Sequence, residues 1–154
     1  MEQVLFLCTA NTCRSPIAAA FFKHLAAQRG LSIQASSAGL DIQQESLTPE
    51  AIETAYARGV DISSHKPHRL TPALVDEADR VFTMTEAQKR RVEKEFPNAK
   101  GKVSTLPEAV GIQGEIYDPS GKPLHEYQNC AEQVWAAVSK LVDSLQRQAP
   151  AKAR

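Results

Sequence analysis

The spacing of apolar residues changes once near the start of the chain. Val4-Leu5-Phe6-Leu7 is an unbroken apolar run, as expected of a strand covered on both faces. Beyond it the period becomes four. Ile17, Phe21 and Leu25 put a stripe on one side of a helix predicted over residues 15 to 29. Ser15 suits its N-cap, Pro16 its first position and Gly30 its stop. Ser32 to Ser37 predicts a second strand, ended by Ala38-Gly39. Thr48-Pro49 and Thr71-Pro72 open two more helices, over 49 to 58 before Gly59 and from 72 to Ala78. Arg80 to Met84 reads as a third strand, Thr85 as the cap of a charged helix to about Phe96, and Lys102 to Leu106 as a fourth strand. Pro107 to Pro123 reads as a long loop, the kind that carries function. A last helix over about 125 to 147 has Ala131, Val134, Val138, Leu141 and Leu145 as its core stripe, and residues 148 to 154 form a frayed tail. Strands alternating with helices predict a parallel α/β sheet.

Composition narrows the picture. The chain has 154 residues, enough for one domain, set here at 1 to 147. With 42% hydrophobic and 23% charged residues it belongs with globular chains, not disordered ones. Eighteen basic and eighteen acidic residues cancel, so the cationic excess that drives nucleic-acid binding is missing. No apolar run nears the roughly 20 residues of a membrane helix. Met1-Glu2-Gln3 has no basic character and no small-residue cleavage site follows, which points to the cytoplasm. Three cysteines, an odd number, do not make a disulfide framework.

Chemistry concentrates in Cys8-Thr9-Ala10-Asn11-Thr12-Cys13-Arg14-Ser15. A cysteine ends the first strand, and an arginine and a serine open the first helix. A loop between a buried strand and a helix N-terminus turns several backbone N–H groups toward one point. Those donors, the helix dipole and the Arg14 guanidinium make a cradle for a tetrahedral dianion, and the planar fork of Arg14 suits two of its oxygens. Thiols in such fields ionise readily, their pKa falling from about 8.5 to roughly 3.5–7.5. A thiolate beneath phosphorus is a nucleophile, but cleaving an ester or phosphoramidate also needs a proton for the leaving group. Asp118, in Tyr117-Asp118-Pro119 on the long loop, is the candidate. An aspartate before proline also starts turns, and the residues alone leave both roles open.

Taken together, the Cys-x5-Arg-Ser-Pro run at 8 to 16, the Ser37-Ala38-Gly39 turn, the Asp118-Pro119 loop and the length resemble the low-molecular-weight protein tyrosine phosphatases. The resemblance spans nearly the whole chain. It implies a flavodoxin-like three-layer fold with a four-stranded parallel sheet in the order 2-1-3-4. It implies that Cys8 forms a phosphocysteine, that Arg14 binds the phosphoryl oxygens, and that Asp118 is the general acid and then base. Asn11 would hold the loop's strained shape, Ser15 would hydrogen-bond the Cys8 sulfur, and Ser37 and His65 would support Asn11. Cys13 matches the family's second loop cysteine, which can capture oxidised Cys8 as a disulfide; a small buried thiol is the other reading. Cys130, outside the loop, reads as structural. His24, His68 and His125 read as surface residues. Phosphorylated proteins are the implied substrates and inorganic phosphate the product, with no metal or cofactor required.

Two positions depart from tyrosine-specific members. Ser120-Gly121 stand after Asp118-Pro119 where those members carry aromatic residues, and Thr12 stands where they carry a bulky aliphatic one. Threonine there resembles the bacterial protein-arginine-phosphatase branch, so phosphoarginine is expected ahead of phosphotyrosine. Two other functions are alternatives for this chain. A thioredoxin-coupled arsenate reductase needs relay cysteines after the third strand, and residues 80 to 106 have none. A non-catalytic phosphate-binding module would lack a key group, yet Cys8, Arg14 and Asp118 are all present.

Overall fold

The structure is a computed structural model that describes residues 2 to 148. Strands β1 (Glu2–Cys8), β2 (Ile33–Gly39), β3 (Arg80–Thr83) and β4 (Val103–Thr105) form one parallel sheet in the order β2-β1-β3-β4. The register runs Cys8 against Gly39 and Leu7 against Thr83. The helices are α1 (Arg14–Gln28), α2 (Pro49–Tyr56), α3 (Pro72–Glu77), α4 (Glu86–Glu95), α5 (Leu106–Ala109) and α6 (Leu124–Gln148). The expected three-layer fold and strand order are therefore present.

Alternation along β1 divides the core. Val4, Phe6 and Cys8 face α1 and α6, while Leu5 and Leu7 face the side carrying Val75 of α3 and Val92 of α4. Phe6 stacks between Phe22 of α1 and Phe82 of β3, with ring centroids at 5.8 and 5.6 Å. Phe21 meets Trp135 edge-on at 5.0 Å, which joins α1 to α6. From β1 the chain winds to β2 on one side, and β3 lies on the other. The carboxyl ends of β1 and β3 thus flank a topological switch point, where open α/β sheets bind ligands.

Four local expectations change. Helix α1 begins at Arg14, and its N-cap residue, Cys13, makes no side-chain cap bond. Ser15 is not the cap because its hydroxyl is engaged by Cys8 and Asn11. The stretch after β4 is not all loop. The Thr105 hydroxyl accepts from the Glu108 N–H and the Glu108 carboxylate accepts from the Thr105 N–H, a capping box that starts α5. Gln148 belongs to α6, its side-chain oxygen accepting from Arg80 at 3.0 Å. The rest of the tail expected to fray lies outside the described residues, as does Met1.

Candidate active site

Cys8 ends β1 with 2% of its surface exposed, and residues 9 to 13 loop over it into α1. Asn11 is the one non-glycine residue with a positive φ, 57°, among the described residues. Left-handed backbone is disfavoured for most side chains, and short polar ones tolerate it best. Four hydrogen bonds hold Asn11 there. Its Nδ2 donates to Ser15 Oγ at 2.8 Å and to Ser37 Oγ at 3.1 Å. Its Oδ1 accepts from the backbone N–H of His68 at 3.2 Å and from His65 Nε2 at 2.9 Å.

A backbone N–H can only donate, so His68 identifies the acceptor end of the Asn11 amide. His65 must then carry its proton on Nε2. The other end of the amide donates to Ser15 Oγ, whose hydroxyl also meets Cys8 Sγ at 2.9 Å. A thiolate at Cys8 would accept the serine proton there. Burial of His65 and the nearby positive charges of His68 and Lys23 push its imidazole below the usual histidine range and favour the neutral ring.

Arg14 is almost completely buried. Its Nη1 donates to the Ile116 carbonyl at 2.9 Å, and its Nη2 lies 3.9 Å from Asp118 Oδ2. Asp118 is half exposed, and its Oδ1 accepts from the backbone N–H and hydroxyl of Ser120. Its loop is anchored where Ile116 N–H donates to the Met84 carbonyl at 3.1 Å and Glu86 N–H donates to Glu115 Oε2 at 2.6 Å. Asp118, more than a hundred residues from Cys8 and Arg14 in sequence, thus shares one end of the sheet with them.

One contributor, Gln88, carried no readable sequence signal. Gln88 donates to the Thr9 hydroxyl at 3.0 Å while its carbonyl accepts from the N–H groups of Met84 and Thr85. A Cβ at Gly39 would stand 2.9 Å from the Thr9 carbonyl and 3.0 Å from the Asn11 Cβ. Tyr117 stands 66% exposed beside Asp118, although no aromatic follows it. Cys130 is buried in the same core cluster as Cys8 and Cys13. That neighbour and burial push the Cys13 thiol up, while Cys13 and the Arg14 charge lower Cys130. Thr12 is buried within the loop. His24 is half-buried, and His68 and His125 are exposed.

Residues 3–151 match the family described as low molecular weight phosphotyrosine protein phosphatase. The chain belongs to this family. It is 33% identical over 146 residues to the protein-arginine-phosphatase of Bacillus subtilis strain 168, covering 94% of this chain and 97% of the relative. Among solved structures it resembles a low molecular weight protein tyrosine phosphatase from T. tengcongensis, with 34% identity, a TM-score of 0.90 and coverage of 94% and 99%. It also resembles the arginine phosphatase YwlE solved as a Cys-to-Ser mutant with a phosphorylated active-site serine, with 30% identity, a TM-score of 0.91 and coverage of 99% and 100%. The protein is a cysteine-dependent phosphatase of this family, acting on phosphoproteins. No helix among the described residues is long and apolar enough to cross a membrane.

Proposed function

We propose that this phosphatase uses Cys8 as nucleophile, Arg14 as the phosphoryl clamp and Asp118 as the acid and base. The substrate phosphoryl group sits over the loop N–H groups of residues 9 to 15, with Arg14 turning its fork onto two oxygens. The Cys8 thiolate attacks phosphorus in line. As the bond to the leaving oxygen or nitrogen breaks, Asp118 delivers its proton to that atom. Water then attacks the phosphocysteine and gives a proton back to Asp118. The sulfur leaves as a thiolate, stabilised by the Ser15 hydroxyl. Asn11, Ser37 and His65 are positioning residues that keep the loop open to the phosphoryl group. The observation carrying this reading is the convergence at one end of the sheet of buried Cys8, 2.9 Å from the Ser15 hydroxyl, and Arg14, 3.9 Å from Asp118. Attack, proton transfer and hydrolysis all close without a metal, so turnover persists in chelator.

Asp118→Asn separates the acid from the nucleophile. Loss of a positioned acid costs about 10²–10⁴-fold. The loss falls on poor leaving groups and is much smaller on para-nitrophenyl phosphate, whose phenolate leaves unaided. Equal losses on both would remove Asp118 from the acid role.

For the substrate we favour phosphoarginine over phosphotyrosine. Thr12 offers a hydroxyl within the loop, and Ser120 spends its own polar groups on Asp118 where an aromatic wall would stand. The Bacillus subtilis relative is named for arginine. Turnover of paired phosphoarginine and phosphotyrosine peptides by wild type and Thr12→Ile tests this. Wild type should prefer phosphoarginine and Thr12→Ile should shift toward phosphotyrosine. A strong phosphotyrosine preference unchanged by the substitution contradicts it. Cys13, in the same loop, is our candidate for the thiol that traps oxidised Cys8 as a disulfide, and three free thiols suit a reducing cytoplasm.

A further inference from the structure

Helix α4 reaches the phosphate loop by two arms. Gln88 is one, its side-chain N–H donating to the Thr9 hydroxyl at 3.0 Å. Arg91, one helical turn on, is the other, and it acts through the two residues that follow β2. Leu40 N–H donates to the Cys8 carbonyl at 3.1 Å, and Asp41 N–H to the Thr9 carbonyl at 2.8 Å. The pairing of β1 with β2 thus runs on into the loop. Arg91 grips this extension. Its Nη1 donates to Asp41 Oδ2 at 2.6 Å, and its Nη2 to Asp41 Oδ1 at 3.0 Å and to the Leu40 carbonyl at 3.2 Å. Its Nε donates to Glu95 Oε1 at 3.0 Å, which holds the guanidinium on α4. The mechanism above uses neither Arg91 nor Asp41.

In a trans peptide the C=O and the N–H point opposite ways, and the described chain has no cis bond. With its carbonyl turned to Asp41, the Thr9–Ala10 peptide aims the Ala10 N–H away from residues 40 and 41. Among the described residues no backbone carbonyl accepts from that N–H. We propose that Arg91 is a positioning residue for catalysis: by fixing Asp41 it fixes the Thr9 carbonyl, and with it the aim of the Ala10 N–H at the phosphoryl group. The proposal rests on the reading of the loop N–H groups as the phosphoryl cradle. The guanidinium fork is required, because a lysine ammonium is a point charge without rigid, paired donors. The Arg91 and Asp41 side chains are 33% and 47% exposed, and ion pairs that exposed add little stability. The brace therefore acts on the aim of the loop more than on the fold. Negative charge on the phosphoryl oxygens is met best in the transition state, so its loss falls on kcat more than on KM.

The test is steady-state kinetics on para-nitrophenyl phosphate, with urea unfolding alongside, for full-length wild type, Arg91→Ala, Arg91→Lys, Asp41→Ala and the Arg91→Ala/Asp41→Ala double variant. Misaiming one donor should lower kcat in Arg91→Ala by about 10–10²-fold. KM should stay within about threefold of wild type. Arg91→Lys keeps the stem and the charge without the fork, and should still lose at least about fivefold in kcat. Because Arg91 acts through Asp41, the double variant should be no slower than the slower single variant. The Ki of orthovanadate, which takes the five-coordinate shape of the transition state, should rise in step with the loss in kcat/KM, while that of inorganic phosphate moves less. Arg90→Ala removes an exposed charge from the same helix and should keep wild-type kcat. A kcat within about twofold of wild type in Arg91→Ala, or losses that multiply in the double variant, overturns the brace. So does an equal loss in Arg90→Ala, or a loss matched by a smaller folded fraction. If Arg91→Ala does not fold, Arg91→Lys decides by the same criteria. Retained turnover in Cys8→Ser would indict the catalytic reading; Cys8-dependent turnover with an unaffected Arg91→Ala removes the brace alone.

Discussion

Asn11 shows how much one side chain can decide. Its amide touches both the phosphate loop's serine and the supporting residues Ser37, His65 and His68. Through it a fixed backbone N–H orients the amide that donates to Ser15, whose hydroxyl meets the Cys8 sulfur. Asn11→Ala keeps the nucleophile but loses both the left-handed preference and the polarity chain. Small displacements at a reacting centre cost up to about 10²-fold. We expect a fall of that order in kcat, with Asn11→Asp also impaired because its carboxylate cannot donate to both serines. Steady-state kinetics on para-nitrophenyl phosphate measures it; unchanged kcat in Asn11→Ala would mean that the loop holds itself. Asn11, Ser37 and His65 were legible only through the family resemblance, because hydrogen bonds spanning 26 and 54 positions leave no local pattern.

At the scale of elements, the strand–loop–helix unit was legible because its cues are local: an apolar run, then a four-residue period. The register of its cap was not. Ser15 has the right chemistry for an N-cap but stands inside the helix, since the reacting sulfur claims its hydroxyl. The short α5 was hidden by proline at its start, although Thr105 and Glu108 carry the capping spacing. Packing between β2 and the phosphate loop sets a sharper demand at Gly39. A methyl there would press on the Thr9 carbonyl, which is backbone and must move. Gly39→Ala should therefore lower activity at least tenfold and destabilise the fold by about 1–3 kcal/mol, the range for overpacking. Denaturant unfolding alongside kinetics checks both; a variant with wild-type stability and turnover would show that the loop yields freely.

For the whole molecule, sheet order matters most. Placing β3 beside β1 opens the switch point, and the loop from α5 to α6 carries Asp118 to Arg14 across it. Alternating strands and helices predicted a parallel sheet, but the order of its strands rested on the resemblance. Cys130 could not be placed in one core cluster with Cys8 and Cys13 from sequence, because contact between α1 and α6 depends on how both pack on the sheet. Global stability also carries a mark of the site. The folded His65 pKa lies below the usual value of about 6.5, so between the two the unfolded chain binds more protons. Its contribution is thus constant above about 6.5, and stability is lost as pH falls through that value. His65→Gln should flatten this part of the slope, as urea unfolding at pH 7.5 and pH 5.5 would reveal; an identical pH dependence in both proteins would contradict the assignment.

The most direct measurement is a rapid acid quench during turnover of a phosphorylated substrate, followed by mass spectrometry of the N-terminal peptide. Phosphate should be found on Cys8 and accumulate further in Asp118→Ala with a good leaving group, and Cys8→Ser should lose turnover. Turnover without any phosphate attached to Cys8, or with activity intact in Cys8→Ser, would contradict the mechanism.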